Sequence, residues 1–144
     1  MMKRYWAAQL VVLFEIARIC DKYDIPWYLD NGSLLGAVRH GGFIPWDDDV
    51  DISMLRKDYE RFFQVSKAEL PDGYCVLDVR LEEEYEDAIG RIVNSHAIDY
   101  SDKHMAEFYG CPYTVGVDIF PLDYLPNNPL LMKIKHQFIK TSSI

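Results

Sequence analysis

The chain has 144 residues, a formal net charge of −8 and 49% hydrophobic residues. That is enough apolar material for one domain with its own core. The negative charge excludes general binding to nucleic acid or to an anionic membrane, because phosphates attract basic patches. A nucleotide substrate stays compatible with it, since a bound metal ion inverts the local field.

In chain order, Arg4 to Tyr23 reads as an amphipathic helix. Trp6, Leu10, Leu13, Phe14 and Ala17 recur at helical spacing, with Gln9, Glu15, Arg18 and Asp21 assigned to the wet side. Lys3 and Arg4 ahead of an apolar stretch imitate a secretory leader, but Gln9, Glu15 and Arg18 interrupt it and no small-residue cleavage site follows. No run is long enough to span a bilayer, so a soluble, cytoplasmic protein is expected. Pro26 ends the first helix and Trp27 to Leu29 form a short strand. Asn31-Gly32 turns the chain, Ser33 caps a short helix to Arg39, and Gly41-Gly42 stop it. Phe43 to Trp46 then run extended.

A second strand covers Val50 to Met54, and a helix from Lys57 to Lys67 buries Tyr59, Phe62 and Phe63. Pro71-Asp72-Gly73 is a turn. Tyr74 to Arg80 reads as a strand and Glu82 to Glu84 as a charged connection. Ala88 to Val93 and Ala97 to Tyr100 read as strands around Asn94-Ser95. Thr114 to Phe120 is a further strand, and Pro129 to Lys140 has helical spacing. The expected fold class is α/β (α+β), a mixed sheet with flanking helices. Cys20, Cys75 and Cys111 show no zinc-ligand spacing and are expected to be reduced thiols.

Two segments carry chemistry. In Asp49-Val50-Asp51-Ile52, strand alternation puts both carboxylates on one face and the apolar pair in the core. Carboxylates held together raise each other's pKa unless a cation lies between them, and a hard divalent ion resolves that conflict. An EF-hand loop is the competing reading of Asp47, Asp49 and Asp51. It fails where Ile52 stands at the glycine position and Asp58 at that of the bidentate glutamate. A solvated acidic loop is another, against which the apolar flanks Phe43 to Trp46 weigh.

Asp118, inside the apolar strand Val115 to Phe120, is a third candidate ligand, with pairing to Arg91 as the alternative. The Gly32-Ser33 turn offers close backbone approach, free amides and a hydroxyl to a phosphate, or is only a helix cap. Arg39 and Arg91 are candidate phosphate contacts. For Arg39, closing the helix dipole is the other reading. His40 is a possible base. His96, His104 and His136 receive no role.

The stretch Asn31-Gly-Ser-Leu-Leu-Gly-Ala-Val-Arg-His-Gly-Gly-Phe-Ile-Pro-Trp-Asp-Asp-Asp-Val-Asp-Ile52 resembles the signature of the LicD family, and Gly116-Val-Asp-Ile-Phe-Pro-Leu-Asp123 resembles a later family segment. The resemblance implies a single nucleotidyltransferase-like domain over residues 1–144, lacking the family's C-terminal portion. It implies a phosphate-binding turn at Gly32 and Ser33. It also implies metal-binding, catalytic carboxylates at Asp49, Asp51 and Asp118. The cofactor would be Mg2+ (or Mn2+), and the donor a CDP-linked alcohol whose phospho-alcohol passes to a hydroxyl of a cell-surface glycan. A nucleotidyltransferase using a nucleoside triphosphate and a non-catalytic nucleotide-binding domain are the alternatives.

Overall fold

The computed structural model describes residues 1–82 and 85–142. Five helices and five strands follow one another along the described residues. They are α1 (Met2–Tyr23), β1 (Tyr28–Leu29), α2 (Asn31–His40), β2 (Asp51–Leu55), α3 (Arg56–Glu69), β3 (Cys75–Leu77), β4 (Gly90–Val93), α4 (Asp102–Glu107), β5 (Gly116–Leu122) and α5 (Pro129–Ser142). The strands form one mixed sheet in the order β1-β2-β5-β4-β3. β2 and β5 are parallel, and every other pairing is antiparallel. The α/β expectation holds.

One face of the sheet makes the core. Ile52 and Met54 of β2, Ile92 of β4, and Val117 and Ile119 of β5 are fully buried. They pack with Ala8, Val12, Ile16 and Ile19 of α1 and with Tyr59, Phe62 and Phe63 of α3. Alternation sends Arg91, Gly116 and Asp118 to the other face. Gly90 is fixed by packing, because a Cβ there would stand 2.2 Å from the Phe63 ring. At the far ends of α1 and α3, Glu69 accepts hydrogen bonds from Lys22 at 2.7 Å and from the Tyr23 hydroxyl at 2.6 Å.

The sequence reading departs from this fold in several places. The buried stripe of α1 is Ala8, Gln9, Val12, Ile16, Ile19 and Cys20, so Gln9 is inside while Phe14 is 66% exposed. Asp30 caps α2 through its side chain, which places Ser33 inside the helix. The extended run expected to Trp46 ends early in a turn at residues 45 and 46, with the Asp47 N–H bonded to the Ile44 carbonyl at 2.9 Å. β3 stops at Leu77, because Asp78 turns the chain by accepting the Arg80 N–H at 2.9 Å.

Residues 97–100 are loop, not strand. There the Asn94 side chain takes the Val115 N–H at 2.9 Å, and Ser101 caps the unforeseen α4 by accepting the His104 N–H at 3.3 Å. Such side-chain bonds compete with a strand ladder. The helix expected from Pro129 is present as α5, and its Leu130, Leu131 and Ile134 are exposed. Residues 83 and 84 of the charged connection lie outside the described residues. Cys20, Cys75 and Cys111 are free and buried, as expected. No helix among the described residues is long and apolar enough to cross a membrane.

Candidate active site

Three strands bring three charged side chains into one row. Asp51 on β2 is in register with Asp118 on β5, and Asp118 is in register with Arg91 on β4. The row lies on the sheet face opposite the core. Arg91 Nε donates to Asp118 Oδ1 in a very short contact, and Arg91 Nη2 donates to Asp118 Oδ2 at 2.9 Å. Asp118 therefore has the Arg91 partner that was its alternative reading, and it also neighbours the aspartates.

Asp49 is not in the strand, which begins at Asp51. It belongs to an acidic loop in which carboxylate oxygens of Asp47, Asp48 and Asp49 all lie within 4.8 Å of one another. Strand alternation cannot describe that loop, so the reading from sequence missed Asp48 as a site residue and took Asp47 only as a calcium-loop candidate. The signal available was the acidic run itself. Burial first, then the hydrogen bond with Asp47 and the charges of Asp51, Asp47 and Asp48, push the Asp49 carboxyl up to about 6. Asp51, only 8% exposed, is also raised. Burial is the main cause, the Asn31 side chain opposes it, and the charges of Asp118, Asp47 and Asp30 add to it. An all-oxygen donor set that resists ionising together suits a hard divalent cation such as Mg2+ or Mn2+.

Asp49, Arg91 and Asp118 line a cleft of about 480 Å³ that also takes Tyr5 and Gln9 of α1 and Asp48. Its floor continues over Cys75, Leu77, Val93 and Gly116 to His96, a residue given no role from sequence. Gly32 and Ser33, in the first turn of α2, do not line this cleft. With Asp47 they line a smaller, apolar cavity of about 140 Å³.

The anion against Gly32 is the protein's own, since a Cβ on Gly32 would stand 2.3 Å from Asp47 Oδ2. A carboxylate near the start of α2 is favoured by the helix dipole. The Ser33 hydroxyl accepts the Asp51 N–H at 2.9 Å, and Asp30 N–H bonds to the Asp51 carbonyl at 3.0 Å. The turn thus fixes the backbone of a site carboxylate. Arg39 sits in the exposed last turn of α2, about 10 Å along the helix from Gly32 at 1.5 Å per residue, and lines neither cavity.

An acidic loop beside a helix start, with two aspartates and an arginine in one row on a mixed sheet, is an arrangement suited to a divalent cation and a phosphate group. Residues 24–136 match the family described as LicD/FKTN/FKRP, nucleotidyltransferase domain. The chain is 36% identical over 136 residues to the lipopolysaccharide cholinephosphotransferase LicD of Haemophilus influenzae, covering 91% of this chain and 49% of that protein. It is 39% identical over 132 residues to the ribitol 5-phosphate transferase FKRP of Homo sapiens, covering 86% of this chain and 22% of that protein. The chain belongs to the LicD family. It spans about half the length of the bacterial relative and less than a quarter of the human one.

Proposed function

We propose that this domain moves a phospho-alcohol, of phosphorylcholine type, from a CDP-linked donor to a hydroxyl of a cell-surface glycan. The observation that carries the reading is one open cleft lined by Asp48 and Asp49 of the acidic loop and by Asp118 and Arg91 of the sheet, with Asp51 in register beside Asp118. The transferase names of the two relatives, which share 36% and 39% identity with the chain, support it.

Asp49, Asp51 and Asp118 would hold Mg2+ (or Mn2+), with Asp47 and Asp48 beside them. When bound, the cation neutralises the diphosphate and polarises its phosphorus. The chain's own residues do the rest. Gly32 and Ser33 keep the Asp47 carboxylate and the Asp51 backbone in place. Arg91, held by Asp118 on the cleft floor, offers a planar fork to phosphate oxygens. A carboxylate of the loop is suited to take the proton of the acceptor hydroxyl as it attacks in line. CMP then leaves. We place the reaction in the cytoplasm, a setting supported by the three free thiols.

The test is incubation with CDP-choline or with CTP, Mg2+ and a glycan acceptor, assaying CMP and pyrophosphate. CMP release from CDP-choline that is lost in Asp49→Asn and Asp51→Asn supports the proposal. Pyrophosphate release from CTP alone assigns nucleotidyl transfer instead. Binding of both nucleotides with no product marks a binding domain.

A further inference from the structure

Helix α1 lies upstream of the segment that matches the family domain, which begins at residue 24. Two of its side chains nevertheless reach the acidic loop. Trp6 Nε1 donates to the Asp47 carbonyl at 2.8 Å, and Gln9 Nε2 donates to the Asp48 carbonyl at 2.9 Å. Gln9 Nε2 also stands 3.5 Å from the Gly116 carbonyl on β5. The two residues are three apart, so they project from the same side of the helix. Each is itself held. The Trp6 ring stacks on Phe43 with centroids 5.1 Å apart and planes within 6°, and Gln9 is 2% exposed.

We infer that α1 is a positioning element of the carboxylate site, with Trp6 and Gln9 clamping the Asp47–Asp49 loop by its backbone so that the carboxylates face one another before a cation arrives. Three acids that repel one another spread apart unless their peptide planes are fixed from behind. The loop has no strand ladder to do this, because β2 begins at Asp51. Both donors approach backbone carbonyls, which leaves the carboxylate oxygens free for a cation.

Packing alone does not explain Gln9. Its Oε1 is buried without a hydrogen-bond partner, a cost that an apolar residue of the same length avoids. Val12, Ile16 and Ile19 already anchor the helix in the core. The amide is accounted for by the carbonyls it holds. A role of this kind, orienting ligands without touching the ion, typically shows as a loss of metal affinity.

The inference rests on the proposed metal site, and two measurements keep them separable. Trp6→Phe retains the stack on Phe43 and removes one N–H. Gln9→Met retains the length and removes the amide. Calorimetry with Mn2+ is expected to show affinity lowered about tenfold in each variant. Hydrogen exchange on the metal-free protein is expected to show faster exchange at residues 47–50.

Ile19→Val supplies a purely structural comparison, expected to lower Tm while leaving both readouts unchanged. Wild-type affinity and exchange in the Trp6→Phe/Gln9→Met double variant overturn the clamp. So does an equal loss of Mn2+ affinity in Ile19→Val. If the wild-type protein binds no Mn2+, or binding survives in Asp49→Asn/Asp51→Asn, the metal reading fails. The exchange measurement then still decides the clamp, since it needs no metal.

Discussion

Arg91 and Asp118 face each other directly across β4 and β5, and the guanidinium spans both carboxylate oxygens. The pair is partly exposed, with side-chain accessibilities of 39% and 17%. The arginine thereby supplies the counter-charge that Asp118 needs on a sheet face it shares with Asp51. Arg91→Met leaves Asp118 unpaired. The expected cost is about 1–2 kcal/mol, below that of a fully buried pair because water reaches the site. Thermal melts with and without Mn2+ check it, and most of the lost Tm should return with the metal. A loss that Mn2+ does not restore counts against Asp118 as a ligand.

Asp49 gives a test with a defined sign. Its folded pKa, about 6, lies above the ordinary 3.8, so its ionised form opposes folding at any pH above both values. Metal-free Asp49→Asn should therefore be more stable than the parent at pH 7.5. After discounting for the exposure of Asp49, the gain is about 1 kcal/mol. The difference should shrink as pH falls through 6 and vanish near 4. Millimolar Mg2+ should reverse the order of the two melting temperatures.

Gly32→Ala forces the Asp47 carboxylate away, because the new Cβ would lie 2.3 Å from its oxygen. What must give is the far end of the flexible Asp47 side chain, which takes its carboxylate out of its place in the acidic loop. Mn2+ affinity is expected to fall about tenfold, as for other changes that misplace metal ligands. Calorimetry measures this, and unchanged affinity would show that Asp47 can leave without disturbing its neighbours.

Away from the site, Asp78 predicts acid sensitivity. Burial alone raises its carboxyl, but hydrogen bonds from Arg80 and from Tyr59, whose hydroxyl is at 2.7 Å, outweigh this and leave it below the usual value. A depressed folded pKa contributes stability above the unfolded value, near 3.8, and that contribution fades as pH falls through the folded one. Asp78→Asn should cost about 1–3 kcal/mol at pH 7. The gap between variant and parent in urea melts should close below pH 4.

Much of the fold was legible because it rests on local rules. The period of α3 identifies Tyr59, Phe62 and Phe63, and Pro71-Asp72-Gly73 marks its turn. The alternation in β5 puts Val117 and Ile119 on one face and Asp118 on the other. Some departures were local, as where Asp78 accepts the Arg80 N–H and ends β3, and others arose where a side chain binds backbone far along the chain. Asn94 reaching Val115 removed the strand expected over 97–100. The carbonyls of Asp48 and Gly116 drew Gln9 inside, onto a face that helical periodicity alone assigns to water.

The sequence by itself joined Gly32, Ser33 and the acidic run in one motif, because the stretch from Asn31 to Ile52 is contiguous and specific. It also determined the character of β2 and β5, since their alternation is a property of each strand alone. Only the tertiary structure decided that Asp51, Asp118 and Arg91 form one row. Strand order and register set that row, and both depend on contacts between segments far apart in the chain. It also decided that Asp47 rather than an open pocket lies against Gly32, and that Trp6 and Gln9 stand behind the loop. Hydrogen bonds across roughly forty residues carry no local signature. They exist only after the core has placed α1 against the sheet.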